Sequence, residues 1–586
     1  MHSTQWAAID GLGRELPMHE QVGAPRKRFV GMFYFGWHKT MSQLHPINTN
    51  DFILQHPGAQ FDFYHPAWSD PALTEGLPEI VNTVPYADLI EKFIYFWNEP
   101  LFGFYSGVDE WVIRRHGEML ADAGVDVIIF DSSNMDLIWE ETFDAITRVW
   151  SQMRREGTKT PYMSYLLNFG PSQYTRSDLQ NFYRWIQEKP GAKDMWFMWK
   201  GKPLVLGYPQ SLGEGDEYLK DFFTFRPCQP SYFKGAEGNA RWGWLSVYPQ
   251  NVYYNEDGTP EQITVGCSQN ASVESAEHEM PTAFSASEQV FGRSYTQKNG
   301  PQPRPEGTLY GKNFEEQWER ALEVDPEFVF VTSWNEWLAG RLENWNSGLK
   351  NHYNCWVDTF NNDLSRDIEP TRGDLKDHFY YQFVANVRAY KGCEPLAPLS
   401  EEKTIDLAGP QTQWQDVQPE YRGHPGHSIP RHADGYVPYH YDNETCVNEL
   451  SCAKLARDQE NIWFYVETAA PLTANDHQRW MRLFIRTEQD LPHWEGMQFA
   501  VGIGGYGEKT RLYRSKGGWD WEPVCECDYA AGENWLAVQV PRAALGAPQR
   551  IDFKWMDNMQ NEGDILDAYQ YGDAMPYGRF MFRAML

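Results

Sequence analysis

Three carboxylates in this 586-residue chain stand just past short apolar runs: Glu99 after EKFIYFW, Asp131 at the end of VDVIIFD, and Glu336 within FVFVTSWNEW. An acid at the end of an apolar strand has been carried to the rim of a core, where it either caps the next helix or meets a ligand. Hydrolysis of a glycosidic bond requires two such acids, one protonated to release the leaving oxygen and one ionised as nucleophile or base. Asp131, followed by Ser-Ser-Asn, has the form of a cap, and Glu99 sits in WNEPLFGFY, where Pro and Gly demand a tight turn. Glu336 lies between Trp334 and Trp337 and has no cap to serve. Two indoles beside it would make a partly dry pocket and lift its pKa toward that of a general acid.

The same strand ends supply groups suited to hold sugar hydroxyls or stack on sugar rings. Trp37, His38 and Lys39 follow the first run, Asn134 the third, Asn168 the fourth and Tyr208 the fifth, with Gln269 and Asn270 after the seventh and Trp334, Asn335 and Trp337 after the eighth. His38 fits a hydroxyl donor better than a base. No G-x-S-x-G elbow follows any strand, which argues against Ser-His-Asp hydrolysis. Eight cysteines lack the paired spacing of a zinc site, and Cys525 and Cys527 read as reduced structural thiols. The chemistry needs no metal or other cofactor.

Composition agrees with a saccharide partner. The chain holds 25 Trp, 32 Tyr and 33 Phe, and sugar rings present flat C–H faces that stack on aromatic faces. Its formal charge of −30 repels a nucleic-acid backbone or an anionic membrane surface but not a neutral poly- or oligosaccharide. No stretch approaches the roughly 20 apolar residues that span a bilayer. The opening MHSTQWAAIDGLGRELP lacks a basic segment followed by an apolar one, so no secretory signal is visible. The compartment stays open between the cytoplasm and a secreted protein whose signal has been removed.

The elements that would position these groups form a series of eight β-branched and aromatic runs, at 28 to 35, 91 to 97, 125 to 131, 161 to 169, 202 to 208, 221 to 227, 262 to 270 and 328 to 337. Between the second and third, DEWVIRRHGEMLADAG reads as an amphipathic helix with a Gly stop. Strand, helix and strand with so short a return is the repeat of an α/β fold, a (β/α)8 barrel, with its site at the C-terminal strand ends. A doubly wound nucleotide-binding sheet is the rival, but no Gly-rich phosphate turn follows the first strand. The barrel is expected over residues 1–393, a Pro-rich connector over 394–411, and an antiparallel β-sandwich over 412–586, where NIWFYVETA, RWMRLFIRT and QRIDFKWMDN alternate with turn signals.

The TSWNEW strand end, in a series opening with VGMFYFGWH, resembles that of glycoside hydrolase families 99 and 71. That resemblance covers roughly residues 28 to 390 and implies a catalytic carboxylate at Glu336. Family 99 places its second carboxylate three residues further on, and Ala339 stands there in NEWLAGR, so the partner is expected at Glu99 or Asp131, with Glu343 a third choice. The tail resembles family 9 carbohydrate-binding modules, which implies sugar stacking on loop tryptophans such as Trp494, Trp519 and Trp521. The acid run QNEGDILD near 560 is either a calcium site or a solvated turn. The expectation is a glycosidase; the alternatives are a glycan-binding protein without catalysis, or a polysaccharide lyase or glycosyltransferase.

Overall fold

The computed structural model describes residues 2–38, 46–69, 94–235, 237–338, 340–475 and 479–586. It is a mixed α/β structure. Strands Pro260–Gly266, Phe328–Thr332, Phe29–Tyr34, Val127–Asp131 and Tyr162–Leu166 lie side by side in that order, all parallel. A bridge from Leu166 to Leu206 extends the parallel run to Lys202–Val205, which pairs with Thr224–Phe225.

These segments are strands because both of their faces are buried, which is why they read as nearly unbroken apolar runs. Along the first, Phe33 and Phe35 join one cluster with Ile129, Leu204 and Phe330, whereas Val30, Met32 and Tyr34 join the helix-facing core. The sheet curls, so that rings distant along the strand order meet: Phe328 lies 4.4 Å from Trp242 and 5.7 Å from Trp199, centroid to centroid. Gly31 permits this approach, since a Cβ there would sit 2.5 Å from the Phe328 ring.

The strand count differs from the sequence expectation in two places. Ile94–Phe96, the described part of the run at 91 to 97, pairs with Pro46–Asn48 outside the parallel run, and Phe29–Tyr34 pairs directly with Val127–Asp131. The reason is packing: Tyr95 and Ile47 are buried with Trp68 and Trp356 in a satellite core of their own. The run at 221 to 227 begins in the end of helix Glu217–Phe222, and only Thr224–Phe225 of it is strand. A short parallel pair, Cys228–Gln229 with Trp242–Gly243, carries no sequence run; Gly243 is tied to Pro260–Gly266 through the Gln262 side chain instead of a ladder. Among the described residues the paired strands do not make a continuous ring of eight.

Helix Glu110–Asp122 lies where the amphipathic pattern expects it. Asp109 caps it, accepting from the backbone N–H groups of Trp111 and Val112. Helices Glu140–Glu156, Gln173–Glu188, Lys312–Val324 and His378–Lys391 cover the sheet with Phe143, Phe182, Trp318 and Phe383.

Beyond residue 394 the chain runs without helix or strand to the turn at Gln411–Trp414, and then becomes antiparallel. One sheet holds Leu450–Arg457, Asn461–Thr468, Trp535–Pro541 and Tyr529–Ala531 in that order. The other runs from Met581–Met585 through Arg550–Asp557, Arg482–Thr487, Phe499–Val501 and Thr510–Ser515 to Trp521–Cys527. Phe464 of the first meets Phe553 of the second at 5.5 Å. The second sheet takes its edge strand, Trp6–Ala7, from the other end of the chain, which a division at 394 does not foresee. Buried ion pairs bind the two parts: Arg579 to Asp377 at 2.6 Å, Arg431 to Asp109 at 2.9 Å. All eight cysteines are free, and among the described residues no helix is long and apolar enough to cross a membrane.

Candidate active site

Glu336 leaves the end of Phe328–Thr332 in a segment pinned on both sides. Toward the first strand, Trp334 N–H donates to the Phe33 carbonyl at 2.9 Å, while the Asn335 side chain accepts from Phe35 N–H at 2.8 Å and donates to the Phe35 carbonyl at 3.2 Å. Toward the segment 365 to 369, Asp367 Oδ1 accepts from Ser333 Oγ and from Glu336 N–H, each at 2.5 Å, and Asp367 Oδ2 accepts from Trp97 Nε1 at 2.7 Å. This clamp brings Arg366 against Glu336. Its Nη2 and Nε donate to Glu336 Oε2 at 2.7 and 3.2 Å, with the two side chains only 1% and 7% exposed.

The Arg366 guanidinium also faces four other segments. Nη1 donates to Asn270 Oδ1 at 3.3 Å, and Nη2 lies 3.5 Å from Asp358 Oδ1, whose side chain is 43% exposed. The Phe284 and half-buried Trp244 rings stand 5.3 and 5.9 Å from it. Asp358 follows strand Asn351–Trp356, where the carbonyls of Trp356 and Val357 accept from Ser285 and Phe284 N–H at 3.2 and 3.1 Å.

Burial pushes the Glu336 carboxyl well above its ordinary value; Arg366 draws it back, and Asp358 and Asp367 push it further up. Burial also raises Asp131, against the lowering effect of its bonds to Ser133, and the same Asp358 and Arg366 charges act on it. Asp131 and Glu336 thus feel the same two charges from strand ends that flank the strand Phe29–Tyr34. One oxygen of Asp131 is nevertheless engaged in a local turn, accepting Ser133 N–H at 3.0 Å, and it caps no helix, the next one, Glu140–Glu156, having Trp139 at its N-cap.

Glu99 lies in different surroundings. It is 34% exposed and paired with Arg372 at 2.9 Å; burial raises its carboxyl, Arg372 lowers it and Asp51 raises it. His38 is buried, with Nε2 at 3.0 Å from the Asn335 carbonyl, and burial lowers its pKa to about 3, so it is a neutral ring. Asn335 is consumed by its backbone bonds. The two indoles beside Glu336 do not line a pocket. Trp334 packs on His116 and Tyr380, whereas Trp337 stacks on Trp97 at 4.6 Å and donates to Glu369 at 2.5 Å.

Gln269 exchanges amide hydrogen bonds with Asn313 at 3.0 and 3.1 Å, and Tyr208 donates to the Cys228 carbonyl. Asn168 braces the loop after Val127–Asp131 by donating to the Ser133 and Met135 carbonyls, and Asn134 is exposed on that loop. Trp37 is half-buried, 4.8 Å from Phe35 and 6.1 Å from Trp139. Asn270 alone of the expected amides touches the Arg366 cluster. Glu343 accepts from Tyr64 on an exposed hairpin. Lys39 and Ala339 lie outside the described residues. Arg366, Asp358, Trp244 and Phe284 were not foreseen.

In the tail, Trp494 is buried and donates to the Gly563 carbonyl, and Trp519 meets Trp494 and Trp521 edge-on at 4.5 and 5.6 Å, over Phe484. The acid run is taken up by donors: Asp567 accepts from Gln560 and Asn561 N–H, and Glu562 pairs with Arg482 at 2.6 Å. Among the described residues no group of three or more His, Cys, Asp or Glu could hold a metal ion.

The chain matches no protein-family model and no curated protein. Among solved structures it is similar to the GH99 endo-alpha-mannosidase of Bacteroides thetaiotaomicron. In the complex with BIS-TRIS-propane the identity is 11%, over 63% of this chain and 98% of that one, with a TM-score of 0.31. In a second structure the identity is 14%, over 62% and 97%, with a TM-score of 0.29. Likeness at that level carries no argument about activity, which has to come from the residues themselves.

Proposed function

We propose that this chain is a glycoside hydrolase that cleaves glycosidic bonds in a poly- or oligosaccharide with a pair of carboxylates, Glu336 being the proton donor. The observation that carries the reading is the burial of Glu336 against Arg366 at a strand end. A buried carboxyl resists ionisation, which suits an acid that must hold its proton near neutrality. Both Arg366 donors fall on Oε2, so in this reading Oε1 is the oxygen that would hand a proton to the leaving group. Asp131 and Asp358, whose charges act on this part of the site, are the candidates for the second acid, while the half-buried Trp244 and Trp37 would offer ring faces to the C–H surfaces of sugars.

In this reading the curled parallel sheet is the (β/α)8 barrel of residues up to 393, with its site at the C-terminal strand ends. The two antiparallel sheets of 412–586 form a β-sandwich of carbohydrate-binding kind, which Trp6–Ala7 completes. The test is to incubate the protein with a panel of neutral polysaccharides and aryl glycosides and to follow new reducing ends and the product anomer by NMR. Release of reducing sugar supports the reading. Retained sugar binding with no release on any substrate would overturn it in favour of a glycan-binding protein.

A further inference from the structure

We propose that Asp358 is the second catalytic carboxylate, working opposite Glu336 across the Arg366 guanidinium. The proposal rests on the glycosidase reading above and names the partner which that reading leaves open. Glu336 Oε2 and Asp358 Oδ1 lie against the same nitrogen, Arg366 Nη2, at 2.7 and 3.5 Å. Two oxygens sharing that atom are separated by no more than the sum of those distances, about 6 Å. Carboxyl groups about 5 to 5.5 Å apart act as acid and nucleophile, whereas a pair that activates water between them stands about 6.5 to 9.5 Å apart. With their nearer oxygens no further apart than that bound, Glu336 and Asp358 are assigned to direct attack, an assignment that the product anomer tests.

The contrast between the two contacts assigns the roles. Glu336 is held by two donors and closed off from water, as an acid that keeps its proton should be. Asp358 touches Arg366 through a single looser contact and is 43% exposed, so an oxygen remains open to a substrate entering from solvent. Asp131 is the weaker choice because it is buried and one of its oxygens is bound by Ser133 N–H. Asp358 is also held by the residues before it, which are tied to the segment carrying Phe284.

The reaction then runs in two balanced steps. An Asp358 oxygen attacks the anomeric carbon and forms an ester bond to it; the glycosidic C–O bond breaks, its electron pair stays on the leaving oxygen, and that oxygen takes the Glu336 proton. Water next attacks the same carbon while Glu336 accepts one of its protons. The ester bond breaks, its electron pair returns to Asp358, and the sugar leaves with its original anomeric configuration and Glu336 reprotonated.

The test uses the full-length protein and a set of 2,4-dinitrophenyl glycosides, together with the 2-deoxy-2-fluoro derivative of whichever sugar is turned over. Retained product configuration and a fluoro-sugar label on Asp358, located by peptide mass spectrometry, are expected. Asp358→Asn should lose about 10²- to 10⁴-fold in turnover, and Asp358→Gly should regain activity with azide, forming a glycosyl azide of opposite configuration. A label on Asp131, inverted product, or turnover of Asp358→Asn within threefold of the parent would overturn the assignment while leaving a glycosidase. Failure of the parent to turn over any glycoside would instead overturn the underlying reading and this proposal with it. The labelling needs only the parent, so an unfolded variant does not rescue the proposal.

Discussion

Arg366 places two N–H donors on a single oxygen of Glu336, Nη2 at 2.7 Å and Nε at 3.2 Å, with both side chains out of solvent. Such a contact fixes the orientation of the carboxyl. It also opposes the effect of burial, so if Glu336 is the acid proposed above, the pair sets the pH range in which it acts.

Replacing Arg366 with Gln removes the charge that favours ionised Glu336. The carboxyl then rises further, and the alkaline limb of the kcat/KM profile, along which Glu336 loses its proton, moves to higher pH while the maximum rate falls. A pH profile of Arg366→Gln on an active aryl glycoside checks this. An unmoved or lowered alkaline limb would show that Glu336 is not the titrating acid.

The aromatic residues divide into two kinds with opposite expected phenotypes. Trp244→Ala should leave folding intact and raise KM several-fold, consistent with loss of about 0.5–1.5 kcal/mol of ring contact. Trp337→Ala should cost about 3–5 kcal/mol of stability, because it empties a buried stack on Trp97 and takes from Glu369 one of its three side-chain partners. Steady-state kinetics and denaturant unfolding of both variants separate the cases, and an inactive but fully stable Trp337→Ala would contradict the division.

The contact between the two parts of the chain is a stability element with a pH signature. Burial pushes the Asp377 carboxyl up, but Arg579 at 2.6 Å more than reverses this and leaves it below its ordinary value. A depressed carboxylate contributes fully above its unfolded pKa, and its contribution is lost as pH falls through the folded one. Asp377→Asn should therefore destabilise at neutral pH by about 1.5–3 kcal/mol, since Arg579 loses its fully buried partner and keeps only the partly exposed Glu495. The difference from the parent should shrink in acid. Thermal unfolding of both proteins at pH 7 and pH 3 measures it, and an equal difference at both would contradict the pairing.

Much of the α/β part was legible because buried parallel strands announce themselves as apolar runs, and helix Glu110–Asp122 because Asp109 and Gly124 punctuate it. The run ending in Ile94–Phe96 misled because a satellite core selects the same residue types as a main sheet. Trp242–Gly243 was invisible because two residues carry no period. At the site, Glu336 could be singled out by its position at a strand end. Arg366 and Asp358 could not, since they come from irregular segments whose place depends on Asp367 binding Ser333 and Glu336 N–H and on Phe284 binding Val357. Trp334 and Trp337 suggested a dry pocket by adjacency, yet strand and loop geometry turns both rings into the core.

The proton-donor role of Glu336 is tested most directly by comparing Glu336→Gln with the parent on two aryl glycosides of the same sugar, one with a poor leaving group and one with 2,4-dinitrophenolate. An acid is needed only where the departing oxygen cannot leave as an anion. The variant is expected to fold normally, lose about 10²- to 10⁴-fold on the poor leaving group, and lose far less in the glycosylation step on the dinitrophenyl substrate. Equal losses on both substrates, or near-parent turnover of the poor one, would contradict the assignment of Glu336 as the acid.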